Sequence, residues 1–296
     1  MERKDHIDAF GAIALIIFSL SLGLNQALVK IVNEGMAPIF QAGMRSLVAF
    51  PIVMLFAFVA SRRLSITDGS LIPGIITGIF FAAEFMLLFQ AVEYTSIARV
   101  SILFYTMPIW VAVGAHFLIP GDRLHRWKVL GLVLAIAGVG LALSLNAGKT
   151  GEQAFIGDMM ALTGSTFWAA IALIARTTKF SRAKPEMQLI YQLVVSAPIM
   201  LAVAAVDGDM FRQMTYTHLW IFLFQSLVIV GVGFAVWFWI LSIYPASSMA
   251  SFAFLAPVFG VFFGWLIFAE PLTPVILGAL VLVAAGIVLV NRPAPG

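Results

Sequence analysis

Two ionisable side chains stand inside runs that are otherwise almost wholly apolar. Glu84 lies in the run 71–91 and Arg45 in the run 37–60. Neither is tolerated against hydrocarbon, so each should face protein or a wet cavity; in membrane segments such residues mark substrate or ion pathways. A carboxylate there can bind an ammonium group, carry a coupling proton or pair with a cation. A guanidinium can bind a carboxylate. Each also has a plain structural reading. Glu84 can hydrogen-bond a neighbouring helix. Arg45 can reach the lipid headgroups, or pair with a carbonyl or with Glu84.

Small and polar residues recur at helical spacing in four other runs. Ser21 and Asn25 share one face, and Ala98, Ser101, Tyr105 and Pro108 share another. A comparable face holds Ser247, Ser251, Phe254 and Pro257, and a fourth holds Ala161, Gly164, Ser165, Trp168 and Ala172. Small residues usually serve close helix packing. Asn25, Tyr105 and Trp168 are too large for that and point to a cavity wall. Trp237 follows Gly233 by one helical turn, which leaves room beside its ring. The expected substrate contacts are therefore Glu84, Asn25, Tyr105, Trp168, Trp237, Ser101 and Ser251. Pro108 and Pro257 sit mid-span at matched positions. Each should remove a backbone hydrogen bond and bend its helix, as a hinge or as a fixed bend.

Other chemistries are missing. The sequence has no cysteine, which excludes disulfides, thiolate metal sites and thiol catalysis. No G-x-x-x-x-G-K-[ST] phosphate loop is present. The histidines, His6, His116, His125 and His218, are scattered, so neither a metal nor any other cofactor is expected. An enzyme acting on lipid-linked substrates would need an acid/base or metal cluster near the membrane surface. The segment from Asp122 to His125 is the nearest approach to one.

These side chains must be carried by membrane helices. Of 296 residues, 62% are hydrophobic and 10% charged, and the mean hydropathy is +1.04. An apolar run of about 20 residues spans a bilayer as a helix. A barrel would need dyad alternation, and 281–290 (VLVAAGIVLV) is apolar on every face. Ten spans are expected: 9–32, 37–60, 71–91, 96–118, 127–145, 157–176, 187–206, 219–241, 247–268 and 273–291. The first is too long for a signal-peptide core, and no convincing small-x-small cleavage site follows it. The pI near 9.3 reflects basic loops rather than nucleic-acid binding. With the amino terminus inside, twelve Lys and Arg residues fall on the cytoplasmic side and four outside. Both termini are therefore expected in the cytoplasm.

The chain also repeats itself. Tyr94, Pro108, Asp122, Gly131 and Gly138 recur as Tyr244, Pro257, Glu270, Gly278 and Gly286, at an offset near 150 residues. Asp8 and Asp158, and Lys30 and Lys179, keep similar spacing. Residues 1–146 and 147–296 are thus read as two copies. Five spans per copy is an odd number, so the second copy enters the membrane from the opposite side. The expected fold is an all-α integral membrane protein of ten transmembrane helices, built as two inverted five-helix repeats. Substrate sites in such proteins lie where the copies meet.

The stretch from Ala91 to Ser101 (AVEYTSIARVS), then Pro108, the segment Gly121 to Leu124 (GDRL) and Gly131 form an ordered set. Ile243 to Ser247 (IYPAS), Pro257, Ala269 to Leu272 (AEPL) and Gly278 repeat it, and Arg45 fits beside them. The set resembles the EamA family of the drug/metabolite transporter superfamily. It is most similar to the YddG-type amino-acid exporters of bacterial inner membranes. Asp122 stands where that family usually has Glu. The resemblance implies a secondary transporter that exports amino acids, hydrophobic and aromatic ones included, through a mid-membrane cavity. The partners so implied are a small-molecule substrate and the lipid bilayer. An exporter of cationic compounds is the nearest alternative, since an acidic residue in an aromatic cavity would serve it too.

Overall fold

The computed structural model describes residues 8–59, 64–120, 124–144, 152–244, 252 and 254–292. Among them every regular element is helical, apart from a single bridge between Met36 and Phe211. The helices are α1 (Ala9–Asn33), α2 (Pro38–Val59), α3 (Leu71–Tyr94), α4 (Ile97–Phe104), α5 (Met107–Leu118) and α6 (Arg126–Leu143). After them come α7 (Glu152–Thr177), α8 (Pro185–Asp207), α9 (Tyr216–Leu223), α10 (Gly233–Ile243), α11 (Leu255–Phe268) and α12 (Pro274–Val290). A 3₁₀ turn (Lys179–Arg182) precedes α8, and a π-helical segment (Phe224–Val232) joins α9 to α10. Seven stretches are long and apolar enough to cross a membrane, with α4 and α5 together making one of them; Tyr216–Val232, α11 and α12 are shorter.

Local chemistry sets the ends. Asp8 caps α1 by accepting the Gly11 N–H at 2.9 Å. Ser96 caps α4, and Thr215 with His218 forms a capping box on α9. Gly208 takes φ 78° and ends α8. Helix faces that meet lipid stay apolar: Ile17, Phe58, Ile136 and Val281 are all more than half exposed.

The span expected at 96–118 is divided, which corrects the expected mid-span bend at Pro108. The α-helix stops at Phe104, and α5 begins at Met107 with Pro108 in its first turn. A first-turn proline gives up no helical hydrogen bond, because its N–H would be unpaired there anyway. Thr106 marks the break, and its hydroxyl donates back to the Leu103 carbonyl at 2.6 Å. Pro257 likewise lies in the first turn of α11. Both prolines start helices rather than interrupt them.

Packing pairs α2 with α8, α3 with α7 and α8, α1 with α11, α4 with α7 and α11, and α6 with α12. The last pair is the most closely packed, glycine against glycine. A Cβ on Gly131 would strike the Gly286 carbonyl at 2.7 Å, and one on Gly286 the Gly131 carbonyl at 2.7 Å. Backbone meets backbone there, which only glycine permits. Gly74 and Gly78 find their partner in α8, against Tyr191 and Val195.

Candidate functional site

Five helices, the end of α4 and the π segment with the start of α10 converge on one cavity of about 160 Å³. α1 brings Leu22, Asn25 and Gln26; α2 brings Arg45 and Ser46; α3 brings Phe81, Glu84, Phe85 and Leu88. Phe104 and Tyr105 enter from the end of α4, Trp168 and Ile171 from α7, and Gln192 and Leu193 from α8. Ile229, Val230 and Phe234 close the remaining wall. The break after α4 lets Tyr105 turn into this space.

The two buried charges face it from adjacent helices. Glu84 is 3% exposed, and its Oε2 has no hydrogen-bond partner among the described residues. Arg45 is also 3% exposed. Its guanidinium lies over the rings of Phe85 and Phe89, at 4.2 and 4.6 Å from their centroids. That placement removes the headgroup reading of Arg45. No ion pair joins the two among the described residues.

Amides and aromatics complete the lining. The Asn25 Oδ1 and Gln26 Nε2 atoms are buried without partners among the described residues. Ser101 donates to Gln26 Oε1 at 2.6 Å, and Tyr105 lines the same cavity as Gln26. Trp168 stacks on Phe104 at 5.1 Å and meets the Tyr105 ring edge-on at 6.0 Å. Ser196 of α8 donates to Ser46 of α2 at 3.3 Å.

Glu84, Arg45, Asn25, Tyr105 and Trp168 all line this one cavity. Ser101 stands behind the wall and holds Gln26. Trp237 lies elsewhere: it stacks on Phe18 at 4.7 Å beside Leu15 and Tyr244. Ser251 falls outside the described residues. Sequence reasoning missed Gln26 and Gln192. Each is an uncharged amide inside an apolar span, a weaker form of the signal that marks Glu84.

A second polar group lies at the helix ends on one side of the bundle. Asp158 of α7 receives Thr95 Oγ1 at 2.9 Å and Arg99 Nε at 3.1 Å, and Arg99 Nη2 also bonds its other oxygen. Glu270 accepts the N–H groups of Ile97 and Ala98 at 2.8 and 3.0 Å and pairs with Lys30 at 3.3 Å. Arg212 bridges Glu93 at 2.8 Å and the Asn33 carbonyl at 3.0 Å. Two acids from the second half of the chain thus hold the start of α4.

The arrangement suits holding a small solute rather than making or breaking bonds. No cluster of groups able to ligate a metal occurs among the described residues. The family model of EamA-like transporters matches residues 9–144 and again 155–292. The chain belongs to the EamA-like transporter family. It is a multi-pass membrane transporter with the family's two-repeat build. A Bacillus subtilis protein described as uncharacterized transporter YoaV is 27% identical, over 93% of this chain and 94% of its own. A probable amino-acid metabolite efflux pump of Escherichia coli is also 27% identical, over 97% of this chain and 94% of its own. A solved crystal structure superposes with TM-score 0.67 at 16% identity, covering 93% of this chain and 94% of that one. That likeness speaks to fold alone. The family and these named relatives are transporters, not enzymes.

Proposed function

We propose that this chain is a secondary transporter that exports amino acids, hydrophobic and aromatic ones among them, and related metabolites by alternating access. The observation that carries the reading is the pair of unmatched buried charges, Glu84 and Arg45, facing one cavity. A zwitterion supplies what each lacks: its ammonium meets Glu84 and its carboxylate meets Arg45. Asn25, Gln26 and Tyr105 offer further polar contacts, and Trp168 and Phe81 receive an apolar side chain. A cavity of about 150 Å³ is enough for benzene. The 160 Å³ here therefore takes an aromatic side chain, while the whole amino acid requires some widening.

The transport cycle rests on the repeat. In this reading the three shorter apolar segments also cross the bilayer, making ten spans in two inverted copies, 1–146 and 147–296. Support comes from Ser46 and Ser196, separated by 150 positions and hydrogen-bonded to each other. Residues that meet their own counterparts belong on a two-fold axis. Pro108 and Pro257, each starting a helix at the matched place, serve as hinges. In this reading both termini lie in the cytoplasm, which the excess of Lys and Arg in the loops on that side supports, and the bacterial relatives support an inner-membrane location.

The second reading is an exporter of cationic compounds, which Glu84 among aromatic rings favours. Arg45 on the same cavity opposes it, because it repels a cation. The deciding experiment loads purified protein in liposomes with amino acids or with quaternary amines. Efflux of leucine and phenylalanine but not of the amines is expected. Efflux of the amines alone overturns the amino-acid assignment.

A further inference from the structure

Arg45 is held by aromatic rings in place of an acid. Phe85 and Phe89 lie one helical turn apart on α3, with ring centroids 6.0 Å apart and planes at 72°. Phe81 extends the row, 4.4 Å from Phe85. The guanidinium therefore sits in the corner between two near-perpendicular rings. Ring faces carry partial negative charge and attract a cation, most strongly where water is excluded. Phe85 forms part of the cavity wall. Phe89 does not line the cavity; it is 0% exposed and lies behind the cation.

The corner answers a problem that the site creates. Glu84 immediately precedes Phe85 on α3, and a carboxylate and a guanidinium attract strongly at low dielectric. Were Arg45 free to swing, it would close on Glu84 and each charge would satisfy the other. A substrate would then have to break that pair before binding either pole. We propose that Phe85 and Phe89 are positioning residues that keep Arg45 away from Glu84, so that both poles stay open to substrate. This rests on the assignment of Arg45 to the substrate carboxylate made above.

The test is a double-mutant cycle read in reconstituted vesicles with leucine and phenylalanine. Phe89→Met keeps a buried apolar side chain but removes the ring face, and it does not touch the cavity. It should raise KM about tenfold, the scale of a desolvated cation–π contact, with little change in maximal rate. Phe89→Tyr keeps a ring face and should keep a KM near wild type, whatever its buried hydroxyl costs in stability. In an Arg45→Gln background Phe89→Met should add nothing, because the cation it positions is gone. An unchanged KM in Phe89→Met overturns the proposal, as does the same fold-change in both backgrounds, which is the mark of a packing role. An Arg45→Gln protein with wild-type KM removes the carboxylate assignment itself and the proposal with it. If Phe89→Met does not reconstitute, Phe85→Met is taken through the same cycle and judged by the same outcomes.

Discussion

The molecule buries charge in two places and treats it in opposite ways. At the helix ends, Arg99 and Asp158 are 3% and 0% exposed, and each meets the other through paired hydrogen bonds. Glu270 is matched by two backbone N–H groups and by Lys30. In the cavity, Glu84 and Arg45 are buried as deeply, yet neither forms an ion pair among the described residues. Burying a charge costs several kcal/mol, and a partner is the usual compensation. Charges that are matched on the spot act as fasteners. Charges left unmatched beside an open space keep their electrostatic potential for something that arrives. The contrast separates scaffold from site without reference to any relative.

The sharpest way to break the comparison is to remove one fastener. Asp158→Ala removes the carboxylate that both Arg99 and Thr95 bond. Removing one partner of a buried pair costs about 3–5 kcal/mol. The variant should lose a comparable amount of stability in detergent unfolding and reach the membrane poorly. Near-wild-type stability would mean that Arg99 has another home and that the end network is not a fastener.

The cavity charges should give the reverse pattern. Glu84→Gln removes an unmatched buried charge, so stability should hold or rise by up to about 1 kcal/mol. Transport should suffer, because a charge-assisted hydrogen bond to substrate is worth roughly 1.5–3 kcal/mol, or about 10- to 150-fold in apparent affinity. Any dependence of the wild-type rate on pH that comes from Glu84 should vanish with it. Unfolding midpoints and vesicle transport, measured on the same preparation, decide the matter. Wild-type rates at every pH would remove Glu84 from the site. A large loss of stability would move it into the scaffold.

Much of this contrast was legible in the chain. The cavity charges stood out because an ionisable residue in a long apolar run is too costly to persist without a use, and helical spacing led to Asn25, Tyr105 and Trp168. The repeat pointed to Asp158 and Glu270 as matched acids but not to their partners. Arg99 sits 59 residues from Asp158, and Glu270 173 residues from the Ile97 N–H it accepts. Such distances are set by packing that no local pattern encodes. Trp237 misled for a related reason. The small Gly233 one turn away signals space, but Phe18 of α1 is the ring that Trp237 meets. The break before Pro108 was missed because a proline reads alike at a kink and at a helix start, and only the preceding backbone distinguishes the two.

Glu270 lies between the two regimes and gives the finer test. Its carboxylate caps α4 from a loop, while its ion pair with Lys30 is only partly buried, at 21% side-chain exposure for Lys30 and 11% for Glu270. Loss of a cap costs about 1 kcal/mol, and a pair this accessible adds well under that. Glu270→Gln keeps an oxygen that can accept from one of the two N–H groups and loses the charge. It should therefore destabilise by about 1 kcal/mol, clearly less than Asp158→Ala, and Lys30→Met by less again. If Glu270→Gln instead changes transport with no change in stability, the contact is made and broken during the cycle. The start of α4 would then be a moving part rather than a fastened one, and the line between scaffold and site would have to be redrawn through it.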